Sequence, residues 1–372
     1  MIKILHPLLC YYPSQAGGPA NTLYWLNKAL PVSEFSATVV STTFGVVNPS
    51  SVITSSETSS TYFLNSKGKS FVSQSISLLK TTDVVQFSSL FFPPTLPLLL
   101  AAVYKKKAII MSPRGELYPS ALQQKSLKKK LWLAVIKCFQ KHINFHATNT
   151  YEQDIIEKHF LKAKGITVIP NYIELPKQII LQTEAKFVFV GRINPIKNID
   201  LLIEAFALVK QKNKAVILQI VGSARLVYEE KYLAVLKAQV KQLGLQTSVQ
   251  FLGHLEGEKK EHIIASSTAL ILPSKSENFG NVVLEALAHG TPVIASKNTP
   301  WEVLNNTHAG YCIDTSVNEL TKTMLKLLSI DTIAYKEMRK NAYTLCKSKF
   351  DIQTNIKVWE NYYKTITAHV QK

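Results

Sequence analysis

The chain has 372 residues, 46% of them hydrophobic, and a formal net charge of +18. That length implies two or three domains, and the composition describes a soluble globular protein rather than a disordered or fibrous one. Four scattered cysteines (Cys10, Cys138, Cys312, Cys346), with no C-x-x-C and no Cys/His cluster, argue against a disulfide framework or a zinc site and for a reducing cytoplasm.

The N-terminal run Met1-Ile2-Lys3-Ile4-Leu5 reads as a first strand and not as a signal peptide. Strands are predicted at residues 2–5, 37–41, 62–64, 83–87, 108–111, 143–147 and 166–169, and a Ser/Thr-rich stretch at 47–61 reads as a loop. The apolar run 90–103 is broken by Pro93, Pro94 and Pro97, so it cannot cross a bilayer as one straight helix. Charge is uneven: residues 1–170 hold 18 Lys/Arg against 7 Asp/Glu, the remainder 25 against 18. Its densest patches are Lys105-Lys106-Lys107 and the stretch from Lys125 to Lys141, where Leu131, Trp132, Val135 and Phe139 fall on one helical face. Such a helix fits either a core element with a solvated lysine face or a contact with an anionic membrane surface.

Further strands are predicted at 186–190, 215–221, 249–252, 268–272, 292–295 and 310–313. Helical patterns at 22–30, 201–210, 229–243 and 317–328 alternate with the strands, and a last helix at 351–367 carries Trp359, Tyr362 and Tyr363. Strand–helix alternation of this length implies an α/β protein of two Rossmann-like doubly wound domains facing across a cleft. The polar segment around Pro176 marks the boundary. The expected divisions are a first domain at 1–172, a linker at 173–184, a second domain at 185–350, and a C-terminal helix at 351–372 packing back toward the first domain.

Several strand-end loops carry chemistry. Gly17-Gly18-Pro19 follows the first strand, where a glycine pair lets a ligand approach the backbone at a positive helix end. Ser112-Pro113-Arg114-Gly115-Glu116 and His146-Ala147-Thr148-Asn149 end two others; a lone histidine such as His146 is more often a packing residue than a catalyst, whereas Pro113 and Gly115 hold Arg114 in a stiff loop. In Gly191-Arg192-Ile193-Asn194-Pro195-Ile196-Lys197, an arginine and a lysine flank a tight turn and suit a diphosphate. In the run from Pro273 to Glu285, Glu277 sits in a loop, Phe279-Gly280-Asn281 opens a helix, and Glu285 lies inside it. Two carboxylates so placed suit two polyol groups of one long ligand rather than paired-carboxylate hydrolysis. Glu277, Glu285, Arg192 and Lys197 are therefore expected to converge on one site. There is no G-x-G-x-x-G, no P-loop and no Asp-x-Asp to hold a metal across a diphosphate.

Taken in order, these motifs resemble family 4 of the retaining, nucleotide-sugar-dependent glycosyltransferases, whose fold is GT-B. The similarity spans essentially the whole chain and is densest from Phe187 to Trp301. The resemblance implies that Arg192 and Lys197 hold the donor diphosphate, that Glu277 contacts donor-sugar hydroxyls, and that Phe279, Gly280 and Asn281 support the same ring. Glu285 would bind the ribose, and Gly17 and Gly18 would line the first domain's side. Many relatives carry a histidine in the first-domain loop where Arg114 stands here. The family generally works without a bound metal or other cofactor, taking a UDP- or GDP-sugar as substrate. The implied activity is sugar transfer to a saccharide or lipid-linked acceptor in bacterial envelope polysaccharide synthesis (lipopolysaccharide, capsule or exopolysaccharide). That places the protein in the cytoplasm or on the inner face of the cytoplasmic membrane.

An epimerase acting on nucleotide sugars, or a sugar phosphorylase, fits the same architecture; a non-catalytic sugar-binding module leaves the retained diphosphate and ribose contacts without a use. Nucleic-acid binding is disfavoured, because aromatics do not interleave with the basic runs and no such motif occurs.

Overall fold

The computed structural model describes residues 1–12, 18–44, 53–55, 59–64, 69–123, 126–176 and 184–368. Two compact units emerge: residues 1–172 with 352–372, and residues 173–351.

In the first unit, eight strands form one sheet: β1 (Ile2–Leu8), β2 (Phe35–Thr42), β3 (Ile53–Ser55), β4 (Ser59–Leu64), β5 (Val84–Phe87), β6 (Ala108–Met111), β7 (Ile143–Ala147) and β8 (Gly165–Val168). Their order is β3-β4-β2-β1-β5-β6-β7-β8. Successive residues are buried on opposite faces. Leu5, Val85 and Ile109 join one core with Phe71, Leu98 and Ile136 of covering helices, while Ile4, Val84 and Ile110 join another. This is why the strands read as continuous apolar runs.

The second face is covered by the helices Gly18–Ala29 and Ile352–Ala368. In the latter, Ile352, Ile356, Trp359, Tyr363 and Ile366 recur at helical spacing and are all buried. Tyr363 Oη donates to Gln86 Oε1 at 2.6 Å, so its hydroxyl enters the core satisfied.

Two expectations are corrected here. The Ser/Thr-rich stretch read as a loop holds β3 and the start of β4, which pair antiparallel (Ile53 opposite Tyr62) at the sheet's edge. At an edge, small hydroxyl residues extend the ladder without needing a buried face. In the helix Ser126–Cys138, the core takes Leu133 and Ile136, and Trp132 donates its indole N–H to the Leu90 carbonyl. Leu131, grouped by spacing on one face with Trp132, Val135 and Phe139, is 70% exposed, whereas those three are part-buried.

The second unit has six parallel strands: β9 (Glu184–Val190), β10 (Ile217–Val221), β11 (Val249–Gly253), β12 (Ser267–Leu272), β13 (Val293–Ser296) and β14 (Gly310–Ile313). Their order is β11-β10-β9-β12-β13-β14. Chain direction across the sheet reverses between β9 and β12, and such a switch point opens a crevice at the strands' carboxyl ends. Gly222, after β10, has φ 148°, and a Cβ there would stand 1.8 Å from the Gly191 carbonyl oxygen. Only glycine lets the two strand-end loops approach so closely.

Candidate active site

The loops after β9 and β12 meet at that switch point. After β9 a short 3-10 turn, Pro195–Lys197, is capped by Asn194, whose side chain accepts from Ile196 N–H. The Lys275 N–H donates to the Ile196 carbonyl at 2.8 Å, tying the second loop to the first. Lys197 and Glu277 are thereby joined as an ion pair, their side chains 15% and 12% exposed. The same Glu277 oxygen accepts from Ser274 Oγ at 3.0 Å.

Gly280 precedes the helix Asn281–Ala288 in a left-handed conformation, φ 79°, and a Cβ added there would stand 3.0 Å from Leu272 Cδ2. A larger residue there strains the backbone and crowds the strand beneath. Phe279 is held by Trp301, which donates its indole N–H to the Phe279 carbonyl, and the two rings meet edge to face at 5.2 Å. The helix entrance is thus fixed from below. One turn into the helix, Glu285 receives Lys260 Nζ at 2.9 Å, with side chains 22% and 19% exposed.

Arg192 takes a different partner from the one expected. Its guanidinium lies 3.6 Å from Glu229, in the helix Val227–Gln242, and is 53% exposed. Burial pushes the Glu229 carboxyl up. Hydrogen bonds from Asn194 Nδ2 and the Arg225 N–H, with the Arg192 charge, outweigh it and leave the carboxyl below its ordinary range. Convergence of the four expected residues is therefore partial. Lys197 meets Glu277, Arg192 meets Glu229, and Glu285 meets Lys260.

In the first unit, Gly17 lies outside the described residues and Gly18 begins the helix Gly18–Ala29. Arg114, φ 51°, donates to Asn171 Oδ1 at 3.3 Å, and its loop is anchored by Gly115 N–H on Glu152 at 2.7 Å. Burial lowers the Arg114 pKa, with the Glu152 charge opposing. His146 is a packing residue. Nδ1 meets Ser112 Oγ and Nε2 the Ile169 carbonyl, both at 2.8 Å, and Trp359 lies against the ring. Burial first, then the Arg114 charge, lowers its pKa to about 3.

Sequence reasoning missed Glu152, Glu229, Lys260 and Ser274. Glu152 was detectable, because Asn149-x-x-Glu152 is a helix-start pattern and Asn149 does cap that helix. Lys260 and Glu229 have no local signal. Among the described residues, no three His, Cys, Asp or Glu side chains cluster as metal ligands.

Residues 172–345 match the family of glycosyl transferases group 1. Over 166 residues the chain is 32% identical to mannosylfructose-phosphate synthase of Agrobacterium fabrum, covering 40% of this chain and 37% of that protein. Over 119 residues it is 36% identical to D-inositol 3-phosphate glycosyltransferase of Gordonia bronchialis, covering 31% and 26%. The alignments thus span only about a quarter to a little over a third of these relatives. In fold the likeness runs over nearly the whole chain. Anabaena HepE, solved with UDP and glucose, superposes with TM-score 0.79 at 19% identity over 97% of this chain and 99% of its own. Sucrose-phosphate synthase of Thermosynechococcus elongatus gives 0.79 at 18% identity over 99% and 100%. The fold is GT-B.

Proposed function

We propose that this chain is a retaining, family 4 glycosyltransferase of the hexosyl type, moving a sugar from a UDP- or GDP-sugar to a saccharide or lipid-linked saccharide acceptor. The observation that carries the reading is the Lys197–Glu277 pair at the β9/β12 switch point. In it an ammonium and a carboxylate neutralise each other in partial contact with water. An incoming diphosphate competes for Lys197, and the released Glu277 accepts hydrogen bonds from donor-sugar hydroxyls. Glu285 acts likewise on the ribose, exchanging Lys260 for the hydroxyl pair. The helix entrance at Phe279, Gly280 and Asn281 supports the sugar ring.

As the anomeric C–O bond to phosphate breaks, negative charge grows on the leaving diphosphate; Lys197 and Arg192 stabilise it without reorganising. The acceptor oxygen bonds to the anomeric carbon on the same face, and its proton passes to the leaving phosphate. No step requires a metal. The names of the aligned relatives and the UDP in HepE support the donor class. The excess of lysine in the first unit supports a setting in bacterial envelope polysaccharide synthesis, at the cytoplasmic face of the inner membrane.

Titration calorimetry with UDP and GDP tests this directly. One of them binds, and Glu285→Gln weakens it about tenfold or more, the loss of a charged hydrogen-bond acceptor. Failure to bind any nucleoside diphosphate overturns the reading.

A further inference from the structure

The helix Ser126–Cys138 presents two apolar faces, and only one is used by the core. The other bears Leu127, Leu131, Ala134 and Cys138, spaced i, i+4, i+7 and i+11, all exposed, the two leucines by 81% and 70%. A continuous apolar stripe facing water needs a partner. Lysines border it on both sides: Lys128 on one, Lys130 and Lys137 on the other, all exposed.

Beside the stripe lies a recess of about 280 Å³ whose lining includes Leu122, Leu133, Lys129, Lys130, Lys137 and His159. Lys129 is committed to the Ala121 carbonyl and the Phe91 ring. Lys130 and Lys137 take part in no ion pair among the described residues. From Lys105 to Asn149 the single acid is Glu116, turned inward onto Ser89 and the Leu90 N–H. The charge continues at one end of the sheet, since Ile109 pairs with Ile143, and Lys107 and Lys141 each stand two residues before that pair.

We propose that this face docks the first unit on an anionic lipid bilayer, the stripe entering the interface and the recess taking a phospholipid phosphate. It deepens the membrane setting proposed above but uses none of the nucleotide-site residues. A helix of this length lies in the plane of the membrane, about 20 Å long, with its lysines at headgroup level and its leucines below them. Juxtamembrane lysines each add to attraction by anionic lipid, and buried leucines add the apolar part. Bilayer rather than nucleic acid is favoured because the stripe is aliphatic and offers no aromatic platform for bases.

The test is sedimentation of the full chain with vesicles of phosphatidylcholine alone, or of phosphatidylcholine with phosphatidylglycerol, without donor or acceptor. Retention is expected on the anionic vesicles and little on the neutral ones. The double variant K130Q/K137Q should bind about thirtyfold more weakly. The pair L127N/L131N should lose about tenfold or more. All four residues are exposed, so melting temperatures should stay at the unsubstituted value. Equal retention on both vesicle types, or unchanged binding by K130Q/K137Q, overturns the proposal. So does retention on a single-stranded oligonucleotide in place of vesicles. UDP or GDP affinity reads the nucleotide site separately, so failure of one reading leaves the other standing.

Discussion

In the second unit, Lys197, Glu277, Lys260 and Glu285 stand as ion pairs between 12% and 22% exposed. In the first, His6, Gln86, His146 and Tyr363 are shut away from solvent. An ion pair that keeps some contact with water can trade its partner for a ligand that restores the neutralisation. A neutral group sealed in a core has nothing to trade, and its hydrogen bonds fix packing. The family match falls on the half with exchangeable charges.

The sharpest way to break this contrast is Lys197→Ala. Turnover with a nucleotide-sugar donor should fall by roughly 10² to 10³, the scale of removing one preorganised stabiliser of the leaving charge. Glu277 keeps its Ser274 hydrogen bond, so the fall in melting temperature should stay within a few degrees. A drop in melting temperature with turnover retained makes the pair structural and erases the difference between the units.

A smaller effect probes the first unit. His6 and His146 both titrate at about 3 in the folded protein, burial being the leading cause for each. Unfolding returns them to about 6.5, so in that window the unfolded state binds protons that the folded state refuses. Their contribution is complete above pH about 6.5 and declines as pH falls toward 3, at about 1.4 kcal/mol per pH unit for each histidine. Urea unfolding across that range checks the slope, and a flat profile contradicts neutral burial.

The smallest effect concerns Arg192. Half exposed and 3.6 Å from Glu229, it contributes at most about 1 kcal/mol to stability. Arg192→Ala should leave the melting temperature nearly unchanged while raising the donor KM several-fold, measured by initial rates. An unchanged KM removes Arg192 from the diphosphate site.

Much of the fold was legible because parallel strands buried on both faces read as unbroken apolar runs. The strands at 108–111, 143–147 and 310–313 match β6, β7 and β14 residue for residue. Less visible was β3, whose edge position asks only for extended backbone and tolerates serine and threonine. Spacing also left the inward side of the helix Ser126–Cys138 open, since leucines lie on both sides and only the sheet decides which is inward. For the site, the polar loops were legible one by one, but their partners were not. Lys197 and Glu277 are 80 residues apart, and only strand order brings them together. Lys260 and Glu229 sit on helices whose own sequence says nothing about the carboxylate or guanidinium each will meet.

The helix Ile352–Ala368 has a consequence for how the protein is made. It supplies Trp359 and Tyr363 to a unit whose other described residues all precede residue 173. During translation the first unit therefore waits with one face of its sheet covered only in part, by the helix Gly18–Ala29, while residues 173–351 emerge as an uninterrupted segment. The half synthesised first is the half completed last.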